Sequence, residues 1–253
     1  MPTLTPLASV IPTLSADRAE ALVLDLSLNN QGCRLPCWWG TQPGQTSWET
    51  VERFLSTFAL AIKPRGLVEP ALYTAYFAFP KEIDPNPNDE PMIAIEHNYT
   101  VANGVVEQIE VNPGLAPNYG LSAILSAYGR PEEIRLRTYK QSREGDLPFD
   151  VVLYYPKLGI LIRYATQGVI AAHHIRGCPQ ERPAAVIALW SPESGLSFAD
   201  AARQTIDIRD EAEWAYRPVQ EVTDMTIDTF WKAHQHIDAT ACLETPSDIW
   251  PPP

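Results

Sequence analysis

The sequence predicts an α+β protein built as two helix-plus-antiparallel-meander repeats, with the helices packed on one face of the sheet or sheets, and a C-terminal wrap. Three observations predict it. Two apolar helical stripes, Val51, Phe54, Leu55, Phe58 and Leu121, Ile124, Leu125, Tyr128, match position for position at an offset of 70 residues. Each stripe is followed by short alternating runs joined by turn sequences, which is meander patterning. An even set of Cys, two near the start and two towards the end, is spaced to staple one body.

Taken in order, residues 1–14 carry no charge and are rich in Pro, Thr and Leu, and they read as a flexible tether. The first unit spans 15–112. Ser15 can cap a helix over 16–29, whose apolar positions Ala19, Leu22, Val23 and Leu26 fall on one face and which Gly32 ends. Thr46 and Glu49 fit a capping box for the next helix. Strands are expected near 71–79, 92–101 and 105–111, the last two joined by Ala102-Asn-Gly104.

The second unit spans 113–177. Its helix stops at Gly129 and Pro131, and strands are expected near 134–140, 149–156, 160–166 and 169–175. The wrap spans 178–253, with a strand over 184–190, a short helix over 197–203 and a helix capped by Thr226 whose stripe is Ile227, Phe230, Trp231 and His234. It holds too few strands for a sheet of its own, so 15–253 reads as one body.

Composition narrows the function classes. The chain has 253 residues and a net charge of −12, with no cluster of Lys and Arg to displace phosphate counterions, so nucleic acid is not an expected partner and anionic membrane surfaces are disfavoured. No apolar run approaches the roughly 20 residues that span a bilayer. The uncharged start looks like the segment that follows an export signal or lipid anchor, with Met1 standing in for a removed leader; a frayed cytosolic N-terminus is the rival reading.

The four Cys are Cys33, Cys37, Cys178 and Cys242. Disulfides in an oxidising compartment fit the even count, and the favoured pairing is Cys33–Cys37 with Cys178–Cys242, because the first two can meet in one turn. Zinc would want two close pairs where one C-x3-C is present, and redox catalysis would want C-x-x-C; free thiols are the remaining alternative.

Several stretches also carry a resemblance. The run Cys33-Arg-Leu-Pro-Cys-Trp-Trp-Gly-Thr-Gln-Pro-Gly-Gln-Thr-Ser-Trp48 resembles the opening of a group of uncharacterised exported bacterial proteins, often lipid-anchored. Tyr128-Gly-Arg-Pro-Glu-Glu133, Cys178-Pro-Gln180, Leu189-Trp-Ser-Pro192 and Cys242-Leu-Glu-Thr-Pro246 extend it over nearly the whole chain. More distantly, Gly44-Gln-Thr46 and Tyr128-Gly-Arg-Pro131 are similar to the helix start and helix end of small outer-membrane lipoproteins of the SmpA/OmlA type and of β-lactamase-inhibitor-like modules. The first unit departs from that pattern, with Phe58-Ala-Leu-Ala where the stop would stand. The resemblance implies protein binding or assembly and no catalysis, and it is a likeness of fold.

Candidate sites are few. Trp38 and Trp39, beside a Cys pair, are the candidate binding residues; the competing expectation is that they plug the end of the sheet. His173-His174 in a strand would point to opposite faces, His97 shares a face with Ile93, Ile95 and Tyr99, and His234 and His236 do not face each other on a helix, so no metal set is expected. Asp84-Pro-Asn-Pro-Asn-Asp-Glu90 resembles half a calcium loop but lacks the Gly at its sixth position, and Ile95 stands where the last ligand would be. Glu132-Glu133 reads as a solvated strand start, and the sequon Asn98-Tyr-Thr100 lies in an expected strand. No nucleophile elbow, P-loop or dinucleotide turn occurs.

The function expected is therefore a non-catalytic exported module, secreted or anchored at the cell surface, that needs no cofactor and binds a protein or cell-envelope component. A small-molecule-binding or hydrolytic domain with a site between the units, and a purely structural surface protein, are the alternatives.

Overall fold

A nine-stranded sheet and a three-stranded sheet, antiparallel at every pairing, organise the molecule, with helices packed against the larger one. The computed structural model describes residues 14–66, 68–84, 94–141, 147–179, 186–205, 216–236 and 241–252. The tether lies outside them except for Leu14, and so does the calcium-like run after Asp84.

In chain order the elements are α1 (Ala16–Asn29), α2 (Trp48–Leu55), β1 (Ala61–Gly66), β2 (Ala71–Ala78), β3 (Ala94–Ala102), β4 (Val105–Val111), α3 (Leu121–Tyr128), β5 (Glu133–Arg137), β6 (Pro148–Tyr155), β7 (Ile160–Gln167), β8 (Val169–Ala171), β9 (His174–Gly177), β10 (Val186–Trp190), α4 (Phe198–Gln204), β11 (Arg217–Pro218), α5 (Val219–Val222), α6 (Ile227–His234) and β12 (Leu243–Pro246). The large sheet runs β1-β2-β3-β4-β10-β7-β6-β5-β11, and the small one runs β12-β9-β8.

The amphipathic stripes form as their spacing requires. Ala19, Val23 and Leu26 of α1, Val51 and Leu55 of α2, and Leu121, Ile124 and Leu125 of α3 are buried in the main core. Phe77, Tyr99, Ile109, Val151, Leu153, Ile162 and Leu189 meet them from the sheet. The start of α2 differs from expectation: Ser47 is the N-cap, accepting from the Thr50 N–H, while the Thr46 hydroxyl accepts from the Gln42 N–H. At α6 the Thr226–Thr229 capping box is present.

Four expectations change. The strand placed in the C-terminal wrap, observed as β10, lies at the centre of the large sheet between β4 and β7. Its five residues Val186-Ile-Ala-Leu-Trp190 are all buried, and a strand covered on both faces has a continuous apolar sequence that says nothing of its neighbours. Second, helices occupy more than one face. Val152, Tyr154, Leu161, Ala188 and Trp190 point away from the main core and meet Phe198, Ala201 and Ala202 of α4. Third, the strand expected over 169–175 is two strands, because the chain turns at Ala172-His173 with Ala172 in the left-handed region at φ 55°. Finally, β1 was not expected, since Lys63-Pro-Arg65 reads as a break; Pro is tolerated there because β1 is an edge.

Both disulfides form as paired in the favoured scheme, Cys33–Cys37 and Cys178–Cys242. The second joins the residue after β9 to the residue before β12, at the end of the ladder that pairs Leu243 with Gly177. Gly159 shows how tightly the strands close: its φ is +68°, and a Cβ there would strike the backbone carbonyl oxygen of Trp190.

Candidate functional site

Trp38 and Trp39 do not form a contact surface: they are 1% and 2% exposed. Their loop is held from within. The Asn30 side chain donates to the carbonyls of Cys33 and Cys37 at 3.0 and 2.9 Å and accepts from the Trp39 N–H at 2.7 Å. The two indoles stack at 5.6 Å, Trp39 meets Phe77 at 5.2 Å and His97 at 4.5 Å, and Trp38 meets Tyr119 at 5.2 Å. The pair therefore fills the core above β2 and β3, the position that the competing expectation gave it, because two large apolar rings bury more favourably there than in water.

His97 sits at the centre of this cluster. Burial pushes its imidazole down to about 3, so the ring is neutral over the ordinary pH range. Among the described residues, its Nδ1 and both indole N–H groups have no hydrogen-bond partner. Neutral and enclosed by Trp38, Trp39 and Phe77, the ring packs as part of the core.

The other histidines are separate. His173 lies in the turn and His174 begins β9, so they do not share a strand as expected. His234 is buried, its Nδ1 is 2.8 Å from the Phe230 carbonyl oxygen and its Nε2 is 3.2 Å from that of Ala241; burial lowers its pKa against the raising effect of these two contacts. Among the described residues, no group of three His, Cys, Asp or Glu is placed to hold a metal ion.

A buried polar group lies on the face covered by α4. The Arg137 guanidinium donates through Nε and a terminal nitrogen to the Asp150 carboxylate, the first at 3.0 Å, and the Tyr216 hydroxyl donates to the same oxygen at 3.3 Å. Asp150 is 2% exposed, so the pair joins β5 to β6 away from water.

A concave surface lies elsewhere, on the outward face of the small sheet. In β12 and β9, Glu244 and His174 point outward, on the opposite side from buried Thr245 and Ile175. The segment from α5 to α6 stands over them and encloses a cleft of about 560 Å³. Glu221, Asp224 and Glu244 line it together with His174, Met225 and Cys242. Its lining thus combines three carboxylates with an apolar side chain and one wall of the Cys178–Cys242 bridge. Among the described residues, these carboxylates do not group with a third ligand to hold a metal ion.

Among the described residues, the same sheet ends in an edge without the usual guards. The two edges of the large sheet carry Lys63-Pro-Arg65 in β1 and Arg217-Pro218 in β11, and the β12 edge carries Glu244 and Pro246. Such residues discourage a further strand. The β8 edge is Val169-Ile-Ala171, with neither Pro nor charge, and Val169 and Ile170 are 63% and 45% exposed.

This cleft is not legible in the sequence. The favoured Cys178–Cys242 pairing was the one signal that could have placed Glu244 beside β9; nothing local marks Glu221 or Asp224. Comparisons with family models, curated proteins and solved structures find no match to this chain.

Proposed function

We propose that the protein is a non-catalytic, exported binding or assembly module that docks a protein or cell-envelope component, and that the cleft on the small sheet receives an extended cationic segment of that partner. The cleft carries the proposal: it is concave, it is lined by three carboxylates among apolar side chains such as Val222, Met225 and Ile249, and it lies on a chain of net charge −12. Several carboxylates beside apolar side chains suit a Lys- or Arg-bearing chain, because an ammonium or guanidinium can meet a carboxylate while its stem covers apolar surface. Export and anchoring rest on the uncharged N-terminal stretch, the two bridges and the resemblance to exported bacterial proteins.

The same proposal takes the two halves as copies of one unit. Matched helix stripes support it, and so does the strand order, in which β1 to β4 run inward from one edge and, inside the edge strand β11, β5, β6, β7 and β10 run inward from the other side.

Fluorescence anisotropy of a labelled oligolysine peptide tests the function. Binding should weaken as salt rises and fall about tenfold or more when Glu221→Gln, Asp224→Asn and Glu244→Gln are combined, since each lost charge-assisted contact is worth about 0.5–1 kcal/mol in an open cleft. Equal binding by the triple variant would remove the proposal.

A further inference from the structure

We infer that the Cys178–Cys242 bridge is a reducible clasp on the cleft, so that thiol–disulfide exchange regulates binding there; the inference rests on the binding proposal above. Three observations carry it. Cys242 is itself part of the cleft wall. Both sulfurs belong to half-buried residues, so a thiol can approach. Most directly, the Arg176 guanidinium donates to the Cys242 Sγ at 3.4 Å from the neighbouring strand.

That contact sets the direction of exchange. A thiolate of a protein dithiol attacks the Cys178 Sγ and forms a mixed disulfide. The Cys178–Cys242 bond breaks, and its electron pair leaves on the Cys242 Sγ as a thiolate facing Arg176. The second thiol of the reductant then attacks the mixed disulfide and releases Cys178. The protein gains two electrons and two protons, and the reductant becomes a disulfide. A positive group beside the leaving sulfur lowers its thiol pKa, and a leaving thiol of lower pKa departs faster. No such cation contacts the Cys33–Cys37 bridge among the described residues, where the loop is latched by Asn30.

The mechanical consequence follows from position. The bridge closes the end of the β9–β12 ladder, next to the Leu243–Gly177 pair. Once it opens, Cys242 is released from that end and the wall it forms is no longer held against β9. The cleft loses its preorganised shape, and affinity for an extended ligand falls because the bound form must be ordered anew.

The experiment titrates the folded protein with dithiothreitol, traps free thiols by alkylation and reads each Cys by peptide mass. Cys178 and Cys242 are expected to open before Cys33 and Cys37. Arg176→Met should slow their opening about threefold, in line with the loss of a leaving-group charge effect, and leave the other pair unchanged. Labelled oligolysine should bind the oxidised protein about tenfold more tightly than the selectively reduced one, a difference of about 1.4 kcal/mol. An unchanged rate in Arg176→Met overturns the clasp, as does equal oligolysine affinity in the oxidised and reduced forms. Failure of the oxidised protein to bind oligolysine overturns the binding proposal, and is read separately from the alkylation order. Circular dichroism of the reduced protein confirms that the comparison is made on a folded chain.

Discussion

Acid should unfold this protein partly through one side chain, His97. An unfolded chain protonates the imidazole near its ordinary value of 6.5, whereas burial holds it down to about 3 in the folded protein. Between those values the unfolded state binds one more proton, so the contribution is fully present above pH 6.5 and is lost as pH falls. The loss is about 1.4 kcal/mol per pH unit, hence about 3 kcal/mol at pH 4.5 and about 5 kcal/mol near pH 3. The rings of Trp38, Trp39 and Phe77 around it offer no counter-charge that would soften this cost. The assay is urea unfolding of the wild type and of His97→Phe at half-unit steps from pH 7.5 to 4, with stability taken from the midpoint and slope. Carboxylates titrate in both proteins, so the difference between the two curves isolates the histidine. It should be flat above pH 6.5 and then shift in favour of the variant by about 1.4 kcal/mol per unit. Parallel curves across pH 6.5–4.5 would refute the reasoning.

Other consequences can be measured alongside. Trp38→Ala and Trp39→Ala should each cost about 3–5 kcal/mol in denaturant unfolding, because they empty space within the main core; near-native stability in either would restore a surface role. Asp150→Ala should cost about 3–5 kcal/mol by withdrawing the carboxylate to which Arg137 and Tyr216 donate, readable as a lowered thermal midpoint. Val169→Lys places a charge on the β8 edge and should leave the midpoint within about 0.5 kcal/mol of wild type while raising solubility at high concentration, as measured by light scattering.

How far the sequence was legible depends on how local each signal was. The stripes of α1, α2 and α3 were readable because helical spacing and a buried face are the same fact. Strand β4 was located to the residue and β7 to within one, since alternation and Asn103-Gly104 or Gly159 mark their ends. β1 was hidden by Pro64, which is permitted only because no strand lies beyond it, a property of the whole sheet. The β8–β9 turn was hidden because Ala172, not Gly, takes the left-handed conformation. The disulfide pairing followed from spacing and parity, but the burial of Trp38 and Trp39 depended on β2 and β3 arriving beneath them. The cleft was least legible, since its carboxylates come from segments on either side of α6 and no local pattern joins them.

The β4–β10 seam also has a consequence for biosynthesis. Val111 waits for Ile187 through about 75 residues of further translation, or about 4–15 s at ordinary elongation rates. Until then the finished first meander has an unpaired inner edge at Gln108–Val111, in the middle of the future sheet. A nascent chain that crosses a membrane before β10 is made would join both halves on the far side in one step. A chain held back in a crowded compartment would expose β4 to the β10 of a neighbour. The same ladder that unites the molecule can then link two of them by strand exchange.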